Sequence, residues 1–396
     1  MIEAAKAHLR ARQEAALLLL EALVSVNSFT DNVPGGTRVG EMLAAELGTI
    51  SGVSSVRSHA SARYAPHWVA RTEAAERSAA GCVAIVGHLD TVFPPGTFEG
   101  FRREGTIARG PGVLDMKGGL VVVIEALRAL AHVGVLARVP IRVVIVSDEE
   151  VGSPEGQHVI AEELAGASAA LVFEAGRAKD LVITQRKGTG SARVVATGKA
   201  AHAGNAHADG ANAIWALARF IEHAQKLTDY ARGVTVNVGT IRGGQSKNTV
   251  PDRAEAELDF RYERRADGDA LFAALAEAAK EAAIAGTTVT VTGGIARSSL
   301  ERTAASAALY EAYAACARAA GLGDGEAPLV GGGSDAATTA ALGIPSIDGL
   351  GPRGSGFHTH EERIEVTTLV PKAEAIVRFL LGRTQSFDTD GLLRSS

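Results

Sequence analysis

Residues 83–94 read VAIVGHLDTVFP. Four apolar residues run into Gly87, and a short apolar run closed by glycine is the pattern of a buried strand. His88 and Asp90 follow at its C-terminal end, two residues apart, so their side chains point the same way. In open α/β sheets, sites form outside the carboxyl ends of the strands. A histidine there can bind a metal through one ring nitrogen, while a nearby carboxylate accepts the other N–H and fixes the tautomer. Taken alone, the same residues also suit an ordinary strand-end turn.

Two more strands end in the same way. Residues 140–146 form a β-branched run followed by SDEEVGS at 147–153. Three adjacent acids, Asp148, Glu149 and Glu150, repel one another and need solvent or a cation beside them. Residues 169–173 form another apolar run, closed by Glu174. Between these runs the spacing predicts helices over 120–133 and 156–165. Asp115 stands near the start of the first helix, after a Gly- and Pro-rich loop at 95–112, where a carboxylate can also serve as a helix cap. Continuous apolar strands alternating with helices imply a largely parallel sheet covered on both faces, an α/β fold. The strand ends of such a sheet share one edge, so residues 88, 90, 149, 150 and 174 can converge.

The N-terminal segment reads as one helix over 1–26, a loop through Gly35 and Gly36, and a helix over 37–47. Residues 51–80 are polar and irregular, with one strand candidate at 67–70. The character changes at 187–190. Alternating strands at 191–197, 234–242, 254–262 and 287–292 enclose helices at 211–227 and 269–283. The order β-α-β-β-α-β is that of a ferredoxin-like unit, here inserted over 186–296. The expected domains are therefore 1–185, 186–296 and 297–396, the first and last forming one catalytic domain. In the last part, a helix at 304–320 precedes a glycine loop, Gly331-Gly332-Gly333-Ser334-Asp335, with Asp335 as a plausible cap for the next helix. A strand at 344–347, a glycine-rich loop carrying His358 and His360, and a helix at 370–381 complete the chain.

Of the 396 residues, 46% are hydrophobic and only 5% aromatic, so the core is built mainly from Ala, Val, Leu and Ile. The net charge of −5 gives no polyanion-binding surface, which excludes nucleic acid as an expected partner. Two cysteines, Cys82 and Cys316, provide neither a disulfide framework nor zinc-cysteine spacing. The apolar run 17–20 lies between Glu14 and Glu21, which suits an amphipathic helix better than a signal peptide. No run approaches the ~18 apolar residues of a membrane span. A cytoplasmic enzyme acting on a small molecule or peptide is the expectation.

The candidates together are His88, Asp90, Asp115, Glu149, Glu150, Glu174 and His358. Two histidines and several carboxylates suit a pair of zinc ions. Such a pair needs a bridging carboxylate, and one acid left beside the attacking water can act as general base.

At this point the sequence resembles the M20 family of co-catalytic zinc peptidases and deacylases, and within it the glutamate carboxypeptidase (carboxypeptidase G2-like) subgroup. GHLDTVFP, GPGVLDMKGG, SDEEVGS, GKAAHAG, NVGTIRGGQSKNTVP and GFHTHEE match in order, over nearly the whole chain. The resemblance implies two Zn2+ per subunit, with Co2+ or Mn2+ as substitutes. It makes His88 and Glu174 ligands of the first zinc, Asp115 the bridge, and Glu150 and His358 ligands of the second. Asp90 orients His88, and Glu149 is the general base. His360 competes with His358; His358 is preferred because Glu362 follows it by four positions, as in the family. His202, Asn248 and Arg261 resemble substrate contacts, and Gly333 and Ser334 join them. Read from their neighbours alone, His202 is also a solvated loop histidine and Arg261 an ion-pair partner of Asp259. Ala175 stands where many relatives have proline, which bears on the pocket floor.

The resemblance further implies a zinc-peptidase-like catalytic domain with an inserted ferredoxin-like lid that forms a homodimer through residues 186–296. His202 would then reach the partner's site. The expected substrate is an N-acyl amino acid or short peptide with a free C-terminal carboxylate. A deacylase of the acetylornithine or succinyl-diaminopimelate type is the nearest alternative. An inactive relative used for binding or dimerisation is an alternative of another class, against which stand Glu149 and Asp115.

Overall fold

A computed structural model describes residues 1–76 and 79–393. The chain divides into two compact units. The first comprises Met1–Thr184, Arg302–Leu329 and the chain from Ser334 onward.

The first unit is built on a six-stranded mixed, largely parallel sheet. Its order is Val53–His59, His67–Thr72, Ile141–Val146, Val83–His88, Ala169–Val172 and Ser346–Ile347. The last four strands run parallel, and the first two are antiparallel additions at one edge. Every residue of the three central strands is buried, which is why they read as continuous apolar runs. The second strand of the edge hairpin, His67–Thr72, covers the candidate at 67–70; the first, VSSVRSH, escaped sequence reading because it is half-exposed and mostly polar.

Several helices differ from their expected bounds. The N-terminal helix is two helices, Ile2–Ala11 and Gln13–Val24, separated at Arg12, whose guanidinium grips Glu125 at 2.7 and 2.9 Å. The next helix is Val33–Gly48, so Gly35 and Gly36 lie in its first turn and not in a loop. It starts there because the Asn32 side chain accepts the Gly35 N–H and Pro34 occupies the first turn. The helix after Asp115 is Lys117–His132, and its N-cap is Met116, so Asp115 is not a cap. This helix presses against the end of the Ala169–Val172 strand. A Cβ on Gly119 would lie 2.2 Å from the Phe173 carbonyl oxygen, so only glycine permits the approach. Ser334, not Asp335, caps the Asp335–Ala341 helix.

The loop region 95–112 contains two short strands, Arg102–Glu104 and Ile107–Arg109. Ile107–Arg109 pairs with Arg363–Glu365, which pairs with Gly354–Ser355. The loop carrying His358 is thus clamped at both ends.

The second unit spans Gln185–Glu301 with residues 330–333. Its four-stranded antiparallel sheet has the order Thr235–Gly243, Arg253–Tyr262, Gly188–Thr197, Thr288–Arg297. With helices Ala213–Gln225 and Arg265–Ala282, this is a ferredoxin-like arrangement. Burial alternates along Gly188–Thr197 and Arg253–Tyr262, and the buried set forms a separate core with both helices. A two-residue ribbon, Ala201–His202 against Thr249–Val250, organises what the sequence shows only as loop. Among the described residues, no helix is long and apolar enough to cross a membrane.

Candidate metal centre

The parallel strands deliver their terminal residues to one edge. Strand Val83–His88 places His88 in the interior, 1% exposed. Its Nδ1 lies 3.0 Å from the Asp90 backbone oxygen and 3.4 Å from Asp90 Oδ1. Nε2 is thereby turned the other way, 3.4 Å from Asp115 Oδ1 and 3.6 Å from Glu174 Oε2.

Asp90 does more than orient an imidazole. Its Oδ1 accepts the Glu149 N–H at 3.1 Å, and its Oδ2 accepts the Glu150 N–H at 3.1 Å and the Thr30 hydroxyl at 2.8 Å. It therefore anchors the turn Glu149–Val151, which follows strand Ile141–Val146. That turn sends adjacent carboxylates to two different clusters. Ligand atoms of His88, Glu149 and Glu174 lie within 4.8 Å of one another, and so do those of Asp115, Glu150 and His358. His358 Nε2 is 3.1 Å from Glu150 Oε2 and 3.4 Å from Asp115 Oδ2. Asp115 thus offers one oxygen to each histidine. His358 itself adopts φ +60°, a left-handed conformation uncommon outside glycine.

The third acid of the run is turned away. Asp148 is buried and accepts the N–H groups of Glu155 at 2.7 Å and Gly156 at 3.0 Å, serving the fold. His360 is also outside both clusters, with its ring 5.4 Å from Phe98 and 6.3 Å from Phe93.

Burial pushes the Glu174 carboxyl up to about 8, although His88 opposes the shift. Burial likewise raises Glu150, again opposed by His358. For Asp115, burial is outweighed by the two histidines, which hold its carboxyl well below the usual range. Burial disfavours the charged form of His88, yet Glu174, Asp115 and Asp90 hold it well above the usual histidine range. Hydrogen bonds to Asp115 and Glu150 push His358 up to about 10. Too few protons serve too many close carboxylates. Divalent cations resolve that conflict, since they take imidazole neutral and carboxylate ionised. His88 Nε2 and Asp115 Oδ1 are both buried without a hydrogen-bond partner, as atoms meant for a cation would be. The donor set therefore fits a pair of metal ions.

The second unit holds the remaining candidates. His202 Nδ1 accepts the N–H groups of Gly204 and Asn205, both at 3.1 Å, which leaves Nε2 as the donor nitrogen. His202 faces Thr249 across the short ribbon, and the Asn248 carbonyl just before it accepts the Ala203 N–H at 2.9 Å. Arg261 makes a two-pronged pair with Asp259, 2.8 Å on each prong. A Cβ on Gly333 would lie 2.7 Å from Arg297 Cδ. Ser334, in the first unit, is 1% exposed; its hydroxyl donates to Asp348 at 2.6 Å and accepts the Ala336 N–H. That hydroxyl is engaged within the fold.

Two residues of the site escaped sequence reading. Thr30 sits in the segment that follows the first expected helix, read only as loop, and nothing local signals its bond to Asp90. Lys117 is fully buried and donates to the Leu23 and Val26 carbonyls, each at 3.0 Å. Burial pushes its amine down to about 7, against the pull of Glu362.

A mixed α/β sheet with two carboxylate–histidine clusters at its strand ends defines a metallohydrolase class. Residues 84–382 match the protein-family model described as Peptidase family M20/M25/M40. The chain belongs to that family, whose members hydrolyse peptides or acyl amino acids, and it is an enzyme. It is 30% identical over 365 residues to carboxypeptidase G2 of Pseudomonas sp. (strain RS-16), covering 91% of this chain and 87% of that one. Acetylornithine deacetylase of Myxococcus xanthus is 31% identical over 201 residues, 46% of this chain and 50% of that one. Among solved structures, the Bacillus subtilis YXEP protein, described as a dinuclear metal binding peptidase of the M20 family, superposes with a TM-score of 0.68. It shares 15% identity, covering 95% of this chain and 99% of that one.

Asp90→Asn replaces an oxygen that accepts an N–H or a hydroxyl by an amide that donates. It should weaken metal binding by ~10–100-fold, as loss of a ligand-orienting partner does. Zinc titration of chelator-stripped protein measures this, and unchanged affinity would reject the anchoring role.

Proposed function

We propose that this chain is a dizinc amidohydrolase that cleaves an N-acyl amino acid or short peptide bearing a free C-terminal carboxylate. The observation that carries the reading is Asp115, with one carboxylate oxygen toward His88 and the other toward His358. His88, Glu174 and Asp115 would hold one zinc, and Asp115, Glu150 and His358 the other. Imidazole with carboxylate suits zinc, and accommodates Co2+ or Mn2+. Bound zinc supplies Lewis-acid polarisation of the scissile carbonyl and eases deprotonation of the attacking water.

The chain's own groups do the rest. Glu149 accepts a proton from the attacking water on its carboxylate and passes it to the leaving amine nitrogen. Asp90 holds the His88 ring so that Nε2 faces the centre. His202, with Nε2 as donor, supports the oxyanion of the attacked amide. Arg261 exchanges Asp259 for the substrate's carboxylate, a bidentate match to its guanidinium. Likeness to carboxypeptidase G2 over most of the chain supports the carboxypeptidase side. Likeness to acetylornithine deacetylase keeps a small-molecule deacylase as the second reading. A screen of N-acyl amino acids against dipeptides separates the two.

The second unit supports a homodimer. Strand Thr235–Gly243 is an open sheet edge with Ile241 57% exposed, and an unpaired edge is a liability unless covered. A two-fold pairing of such edges covers both.

Three outcomes follow. Glu149→Ala should retain both metals and lose turnover by ~10²–10⁴-fold, while Glu150→Ala should lose affinity at one metal. The reverse pattern in elemental analysis would exchange their roles. Arg261→Ala should lower kcat/KM on free acids by ~10–100-fold, the worth of a charge-assisted hydrogen bond, and on the matching amides far less. Equal losses would remove Arg261 from the substrate site. Co-expressed His202→Ala and Glu149→Ala chains should recover about a quarter of full activity if His202 acts across the dimer, because half the dimers are mixed and each has one intact site. Mixed dimers that stay inactive would place His202 in its own chain's site.

A further inference from the structure

Glu362 lies four residues beyond His358 and is 1% exposed. Its carboxylate reaches across to the loop that carries Asp115. Oε2 accepts the Gly112 N–H at 3.1 Å, and Oε1 accepts the N–H groups of Leu114 at 2.8 Å and Asp115 at 3.0 Å. Three backbone donors of one short loop thus converge on one buried side chain. Without it, buried N–H groups would be left unpaired, which native structures rarely tolerate.

The geometry around the carboxylate is specific. Gly112 has φ +74°, and a Cβ there would come within 2.7 Å of Thr91 Cγ2, so glycine alone lets the loop turn its N–H inward. On the other side, the Glu362 N–H donates to the Thr359 carbonyl at 3.1 Å. The two loops are already joined where Arg363–Glu365 pairs with Ile107–Arg109. Glu362 joins them a second time, close to the ligands. Holding the backbone nitrogen of residue 115 fixes its Cα, and with it the direction in which the Asp115 carboxylate leaves the chain. His358 leaves the opposing loop in its left-handed conformation, and its Nε2 meets Asp115 Oδ2 at 3.4 Å.

We propose that Glu362 is a positioning residue that sets the Asp115–His358 geometry and so tunes the second metal cluster, while touching neither metal nor substrate. The proposal rests on the two-metal reading above. It makes a site-specific demand. The His88, Glu149 and Glu174 cluster is held by the strand ends and by Asp90, and none of the three bonds to Glu362 belongs to it. Asp115 serves both clusters, so loss of Glu362 reaches both, but it falls most heavily on the Asp115, Glu150 and His358 cluster, where the placement of Asp115 and of His358 is lost together.

The test is a competitive Zn2+ titration of the full, chelator-stripped chain, unsubstituted and as Glu362→Ala and Glu362→Gln. Glutamine keeps the volume and one accepting oxygen, so it carries the test where alanine does not fold. The unsubstituted chain should take two equivalents. Each variant should weaken one site by ~10–100-fold and the other several-fold less, alanine more than glutamine. Co2+ spectra should change chiefly in one of the two equivalents. Unchanged affinities at both sites would overturn the proposal. An equal loss at both sites, tracking lowered stability to urea, would also overturn it, since that is what a purely structural clamp produces. Fewer than two equivalents in the unsubstituted chain would overturn the two-metal reading, and this proposal with it.

Discussion

The Asp90 carboxylate is the junction on which the rest of the centre depends. It faces His88 on its own strand end, accepts both N–H groups of the Glu149–Glu150 turn, and accepts the Thr30 hydroxyl from the N-terminal segment. Three stretches far apart in the chain meet at two oxygens. A buried polar junction of this kind is rigid, because moving any member strands the others. The consequence is geometric. Asp90 needs no direct role in chemistry to decide where an imidazole and two carboxylates stand.

Around that junction the protein concentrates like charge. Asp115, Glu149, Glu150 and Glu174 approach one another in a largely buried space, with only two histidines among them. Burial pushes the Glu174 carboxyl up, while contact with both histidines holds that of Asp115 below the usual range. Such a centre is costly as a purely proteinaceous device and well suited to hard or borderline cations. The backbone supports the crowding by close approach. Gly119 admits the Phe173 carbonyl against helix Lys117–His132, and a Cβ on Gly87 would lie 2.6 Å from Met116 Cε. These contacts draw the segments that carry Asp115 and Glu174 toward the end of strand Val83–His88.

Much of this was legible in the chain. The three central strands are buried on both faces, so they appear as unbroken apolar runs, and each ends at or just before residues of the two clusters: His88, Glu149 with Glu150, and Glu174. The inserted unit was legible for the opposite reason. One face of its sheet packs on two helices, so its strands alternate. The first strand of the edge hairpin, Val53–His59, was not legible, since a half-exposed polar strand owes its conformation to a neighbour's hydrogen bonds. Nor was the start of helix Val33–Gly48, where the Asn32 cap overrides the poor helix propensity of Gly35 and Gly36.

By itself the sequence determined which residue types stand at the strand ends, because burial writes apolar periodicity and chemistry writes histidine and carboxylate. Only the tertiary structure decided which of them converge. It turned Asp148 toward the N–H groups of Glu155 and Gly156 and left its two neighbours at the centre. It chose His358 over His360, whose ring packs beside Phe98. It engaged the Ser334 hydroxyl with Asp348 and paired Arg261 with Asp259. Those choices depend on distances between segments remote in sequence, and local pattern carries no record of such distances.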